Sequence, residues 1–149
     1  MFFEEFIPGM KFESKPRRIT QDHVKEFAKL TGDLNPLHLS NRYAKRSKFG
    51  RTVVHGLLTL SIALGRWYSL GVTKDTVVAL VSINNLSFRA PAFPGDSISL
   101  KTKVLSVRRS RSKVKVGLVT LGDQVINEYG SIILEFERTL MLRRKDSTK

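Results

Sequence analysis

The strongest constraint on the fold is a change of period part-way along the chain. Residues 56–70 read GLLTLSIALGRWYSL, apolar nearly all round, and a helix with so little polar face is normally buried. Gly71 follows as its C-terminal cap. Beyond it the pattern becomes period two. Ile98, Leu100, Thr102 and Val104 alternate with Ser97, Ser99, Lys101 and Lys103, and Val114, Val116 and Leu118 alternate with Lys113, Lys115 and Gly117. Such alternation predicts strands with one face in the core and one in water. Val77–Phe88 and Tyr129–Leu142 read as further strands, and Phe93-Pro94-Gly95-Asp96 as a turn. Before the apolar helix, Thr20 can cap an amphipathic one with Val24, Phe27 and Ala28 on its apolar face. That helix should stop near Gly32. Helices first and antiparallel strands afterwards indicate an α+β class, one buried helix covered by a sheet.

Size and composition agree with one domain. A chain of 149 residues buries about 68–70% of its unfolded surface. No linker or repeat divides it. Residues 1–142 are expected to form the domain, and 143–149 (RRKDSTK) a disordered basic tail. The longest apolar stretch, Leu57–Leu64, falls short of the roughly 18–20 residues a membrane-spanning helix needs. Glu4 and Glu5 stand where a secretory signal carries positive charge. A soluble, cytoplasmic protein with no membrane partner is therefore expected. Cysteine is absent, which excludes disulfides, zinc–thiolate sites and thiol nucleophiles.

The formal charge of +13 implies acidic partners. No Asp or Glu occurs from Leu34 to Lys74, where Arg42, Lys45, Arg46, Lys48 and Arg51 cluster. A second acid-free stretch, Ser97–Gly122, carries Lys101, Lys103, Arg108, Arg109, Arg111, Lys113 and Lys115. A nucleic-acid module is one reading of this second stretch. Yet no aromatic residue falls between Phe93 and Tyr129 to stack on bases, so a solvated surface is favoured over a specific nucleic-acid site.

Chemistry concentrates in FAKLTGDLNPLHLSNRYA, residues 27–44. Gly32 opens a loop and Pro36 stiffens it, pushing Asn35 into an extended conformation. Asp33 and His38 on such a loop can hold one water between a carboxylate and an imidazole. Equally, Asp33 and Asn35 can make turn hydrogen bonds while His38 caps the next helix. Asn84 and Asn85 interrupt an apolar strand and either line a pocket or mark a bulge.

The segment resembles the hydratase signature of the MaoC-like family, which includes (R)-specific enoyl-CoA hydratases and 3-hydroxyacyl-thioester dehydratases. Phe27, Thr31, Gly32, Asp33, Asn35, Pro36, Leu37, His38 and Ala44 carry the likeness. Val54-His55-Gly56 and Phe88-Arg89-Ala90-Pro91-Ala92-Phe93-Pro94-Gly95-Asp96 extend it. The resemblance implies a hotdog fold, a long helix wrapped by a curved antiparallel sheet, assembled as a homodimer or larger. It implies reversible hydration of trans-2-enoyl thioesters to (R)-3-hydroxyacyl thioesters. Asp33 and His38 would act on water, and the Gly56 N–H on the thioester carbonyl. His55 would position its turn. The substrate would be an acyl-CoA or an acyl-carrier-protein thioester, with no metal and no separate cofactor, because the thioester acidifies its own α proton. Asn35, Arg51, Asn84 and Asn85 are the expected substrate-binding residues, Arg51 first and Lys48 next for the carrier's phosphates. One departure stands out: Leu64 occupies a place where some members carry serine, with Ser61 one turn earlier. Two rivals remain, an acyl-CoA thioesterase on the same fold and a non-catalytic acyl-carrier-binding protein.

Overall fold

The computed structural model describes residues 1–145. After a 3-10 turn at Phe3–Glu5 come two short strands, β1 (Lys11–Glu13) and β2 (Arg17–Arg18), and then helix α1 (Gln21–Thr31). Two single-turn helices, α2 (Pro36–Leu39) and α3 (Asn41–Ala44), lead to the long helix α4 (Gly56–Ser69). Four long strands complete the chain: β3 (Val77–Phe88), β4 (Ser97–Arg109), β5 (Val116–Asn127) and β6 (Ile132–Arg143). All pairings are antiparallel, in the order β1-β4-β5-β6-β3, with β2 also on β4. One sheet curls round one helix. Among the described residues no helix is long and apolar enough to cross a membrane.

Local signals explain most boundaries. The Thr20 side chain accepts from His23 N–H at the start of α1, and Gly32 ends it in the left-handed region at φ 78°. Gly95 adopts φ 100° and Asp96 N–H donates to Phe93 C=O at 2.9 Å, as a Pro-Gly turn requires. Leu58, Leu60, Ala63 and Trp67 of α4 enter one core with Ile98, Leu100, Val104, Val119, Leu121, Leu134, Phe136 and Leu140. Each such large side chain, fully buried, contributes about 1.5–3 kcal/mol. A polar cluster lies within that core. Arg138 donates to Asp123 at 2.6 Å, Thr102 donates to the same carboxylate, and the Arg138 guanidinium lies 4.6 Å from the Trp67 ring centre.

Three expectations need correction. The long helix is not buried all round: Leu57 is 58% exposed and Tyr68 68%, on the side turned away from the sheet. The inward face of β5 is offset by one residue from the alternation read in the sequence. Val119, Leu121, Asp123 and Val125 are buried at odd positions, while of the three residues expected to face inward Leu118 is buried, Val116 half-buried and Val114 exposed in the preceding loop. Gly117 is buried too, because the Phe3 ring covers it where any Cβ would overlap. A central strand covered on both faces loses the clean alternation that register is read from. Finally, Arg143 belongs to β6, and Arg144 and Lys145 reach back to Glu4 and Glu5. The ordered chain therefore passes the expected boundary at residue 142. The rest of the expected tail lies outside the described residues.

Candidate active site

The loop after α1 is held by a chain of short-range hydrogen bonds. Thr31 Oγ1 donates to Phe27 C=O at 2.7 Å, Asn35 N–H donates to Asp33 Oδ1 at 3.3 Å, and Leu37 N–H to Asn35 Oδ1 at 3.0 Å. Pro36 occupies the first turn of α2, where its missing N–H costs nothing. So Asp33 and Asn35 do form the turn, and Asn35 spends its side-chain oxygen capping α2. His38 lies within α2 and does not cap the next helix; Ser40 caps α3, accepting from Tyr43 N–H at 3.2 Å.

The turn also aims the reactive groups. His38 Nδ1 donates to Val53 C=O at 2.7 Å. A carbonyl can only accept, so this contact puts the ring proton on Nδ1 and leaves Nε2 with a lone pair. The His55 ring stacks on His38 with centroids 3.8 Å apart and planes at 29°. His55 Nε2 in turn donates to the Asp33 carbonyl at 3.1 Å and lies 3.9 Å from Asp33 Oδ2. His55 is the N-cap residue of α4, so the next residue, Gly56, presents the first N–H of that helix. A helix N-terminus favours negative charge through its free N–H groups and its dipole.

His55 is 3% exposed and the Asp33 side chain 52%. Burial pushes the His55 imidazole below its ordinary pKa of 6.5; the hydrogen bond to the Asp33 carbonyl opposes that, and His38 adds to it. One carboxylate oxygen of Asp33 and one ring nitrogen of each histidine lie within 4.8 Å of one another. Groups up to about 5.6 Å apart can share one water at ~2.8 Å from each. A shared metal suits the set less well. Neighbouring ligands at ~2.1 Å from a tetrahedral zinc lie about 3.4 Å apart, and face-to-face rings hold their lone pairs in nearly parallel planes, so one ion cannot lie in both.

A cavity of about 370 Å³ opens beside these groups. His38, Gly56 and Thr59 line it with Phe49, Phe88 and Leu134, and Lys48 and Arg89 contribute the cationic part of the wall. Phe88 covers Gly56 closely: a Cβ there would stand 2.8 Å from its Cδ1.

Of the expected site residues, the fold brings Asp33, His38 and Gly56 to one place. It does not bring Arg51, Asn84 or Asn85 to the cavity wall. The Arg51 guanidinium lies 3.8 Å from the Phe93 ring centre, and Lys48 lines the cavity instead. Asn84 and Asn85 lie at a break in the β3–β6 register, with Asn85 at φ 54°, so the bulge alternative holds. Phe88 and the tie made by His55 were missed. Their only sequence signal was membership of blocks that flank the signature loop.

Residues 4–127 match the MaoC like domain. The chain belongs to that family. It is 32% identical over 127 residues to a protein of Methylorubrum extorquens named 3-hydroxybutyryl-CoA dehydratase, covering 85% of this chain and 78% of the relative. Identity to the (R)-specific enoyl-CoA hydratase of Aeromonas caviae is 29% over 126 residues, covering 85% and 88%. A solved Archaeoglobus structure described as a monoamine oxidase regulatory protein superposes with a TM-score of 0.90 at 32% identity, over 97% of this MaoC-like chain and 95% of that one. The fold is the hotdog described for other neighbours.

Proposed function

We propose that this MaoC-like protein reversibly hydrates trans-2-enoyl thioesters to (R)-3-hydroxyacyl thioesters, with coenzyme A or an acyl carrier protein as the thiol. The observation that carries the reading is the meeting of the Asp33 carboxylate, the His38 ring and the Gly56 N–H at the N-terminus of α4, beside a cavity with mostly apolar walls. The names of the relatives support the reaction class.

The chemistry follows from where charge develops. Asp33 takes a proton from the bound water as its oxygen adds to C3. The electron pair of the double bond moves through C2 onto the thioester oxygen, which the Gly56 N–H and the α4 dipole stabilise. His38 accepts a hydrogen bond from the same water at its Nε2 lone pair, takes over there the proton that Asp33 removed, and delivers it to C2, collapsing the enolate. Dehydration runs the same steps backwards. The thioester acidifies the α proton itself, so the reaction needs no metal or redox group.

The test is a spectrophotometric assay with short, medium and branched enoyl-CoAs. Loss of the conjugated enoyl absorbance without release of thiol is expected, and chiral analysis should show the (R) product. Thiol release with the double bond intact would assign a thioesterase instead. No change with any enoyl-CoA or enoyl carrier protein would leave a non-catalytic binding protein.

A further inference from the structure

We infer that His55 is a positioning residue that locks the acid–base pair to the oxyanion donor and must remain neutral to do so. The inference rests on the hydration reading for its kinetic part only. Four observations carry it. The ring of His55 lies face to face with His38 at 3.8 Å. Its Nε2 donates to the main-chain carbonyl of Asp33 at 3.1 Å. Its own carbonyl accepts from the Thr59 hydroxyl at 3.3 Å and from Thr59 N–H at 3.1 Å. It directly precedes Gly56 at the N-terminus of α4. One residue thus joins three groups that come from separate elements: through its ring Asp33 from the loop after α1 and His38 from α2, and through its main chain Gly56 of α4. Phe27 closes the stack at the edge, with ring centres 4.9 Å apart.

The protonation state follows from the partners. A carbonyl accepts only, so the contact with Asp33 places the proton on Nε2. Nδ1 is buried with no hydrogen-bond partner. A second proton would therefore sit unsolvated, directly against the His38 ring. Burying a charged ring with that N–H unsatisfied is disfavoured, so His55 does not take the proton that His38 handles. Asp33, on the exposed side, is the only carboxylate within ion-pair distance of His55 among the described residues, and it is the group that the chemistry employs.

Two variants separate the parts of this role. His55→Phe keeps an aromatic ring against His38 and Phe27 but removes the N–H that holds the Asp33 carbonyl. His55→Gln keeps a donor and removes the ring. A misplacement of about 1 Å can cost roughly a hundredfold in rate, so each variant should lower kcat about ten- to a hundredfold while KM stays within about twofold. The pH dependence of kcat should keep the shape of the wild type, because His55 exchanges no proton with substrate.

Nitrogen-15 NMR of the wild-type imidazoles provides a readout independent of turnover. His55 should show the Nε2–H tautomer and a titration midpoint below the ordinary imidazole value, while His38 shows Nδ1–H. Unchanged kcat in folded His55→Phe and His55→Gln would overturn the inference. So would loss of one limb of the pH profile, or a His55 signal that titrates with an ordinary midpoint. If the wild type hydrates no enoyl thioester, the proposed function falls, and the NMR result still decides whether His55 is the neutral joint described.

Discussion

At the scale of single residues, Asp33 and His38 each make a structural hydrogen bond and each have a proposed chemical role, and kinetics can tell these apart. Asp33→Asn keeps the Oδ1 that accepts from Asn35 N–H but removes the base. His38→Ala removes the ring held by Val53. Each should lower kcat by about 10²–10⁴ in protein that circular dichroism shows to be folded. In the proposed mechanism both act on one water, so the double variant should be little worse than the poorer single one. Near-normal kcat in folded Asp33→Asn would remove the mechanism. His55 makes a separate prediction about stability. Burial lowers its folded pKa below the unfolded 6.5, so between those values the unfolded chain binds a proton that the folded one refuses. Stability should therefore fall as pH drops through 6.5 and stop falling, for this group, below the depressed folded value. Denaturant midpoints measured across that window in wild type and His55→Phe should show a shallower decline in the variant; identical slopes would contradict it.

At the scale of elements, the N-terminus of α4 is shaped by the absence of a side chain at Gly56. Gly56→Ala retains the backbone N–H but drives a methyl into Phe88. Overpacking of this kind costs about 1–3 kcal/mol. Turnover should fall as Phe88 is displaced from the cavity wall, and Gly56→Ala/Phe88→Ala should recover stability relative to Gly56→Ala alone. Thermal unfolding of Gly56→Ala, Phe88→Ala and the double variant checks this; strictly additive losses would mean that the two residues do not interact. The same region shows what the sequence disclosed. The signature loop was readable because its turn is built from local rules: Gly32 with positive φ, Asn35 bonding two residues on, Pro36 at a helix start. The long strands and α4 were readable from period. Phe88 over Gly56 and His55 against His38 were not, since they join residues far apart in sequence whose meeting depends on how the sheet curls. β1 and β2 were also missed, being too short for any periodicity. Where Arg51 sits was not legible, because a basic cluster does not tell which cation turns inward; it lies over Phe93, and Lys48 lines the wall.

At the scale of the whole molecule, β3 forms an edge of the sheet, paired among the described residues only with β6. It leaves Val77, Val78, Leu80 and Val81 exposed, while α4 exposes Leu57 and Tyr68. A long apolar edge is an open template for another strand, and a second copy across a twofold axis is the common way to cover it. Light scattering at micromolar concentration should show a particle heavier than 16.9 kDa, and Val78→Lys or Val81→Lys should lower its mass. A wild-type particle of monomer mass would contradict this. Farther from the cavity, Glu4 binds both the Arg144 guanidinium at 2.9 Å and the Lys145 N–H at 3.1 Å. The start and finish of the described chain are therefore within one side chain of each other. Joining them by a short linker and cutting instead in the exposed β4–β5 loop at residues 110–115 should give a circular permutant that folds and retains turnover, because the reactive groups all come from residues 27–92 and the new ends lie in the loop joining the far ends of β4 and β5. The order in which the ribosome presents these elements is thus incidental to the site they build.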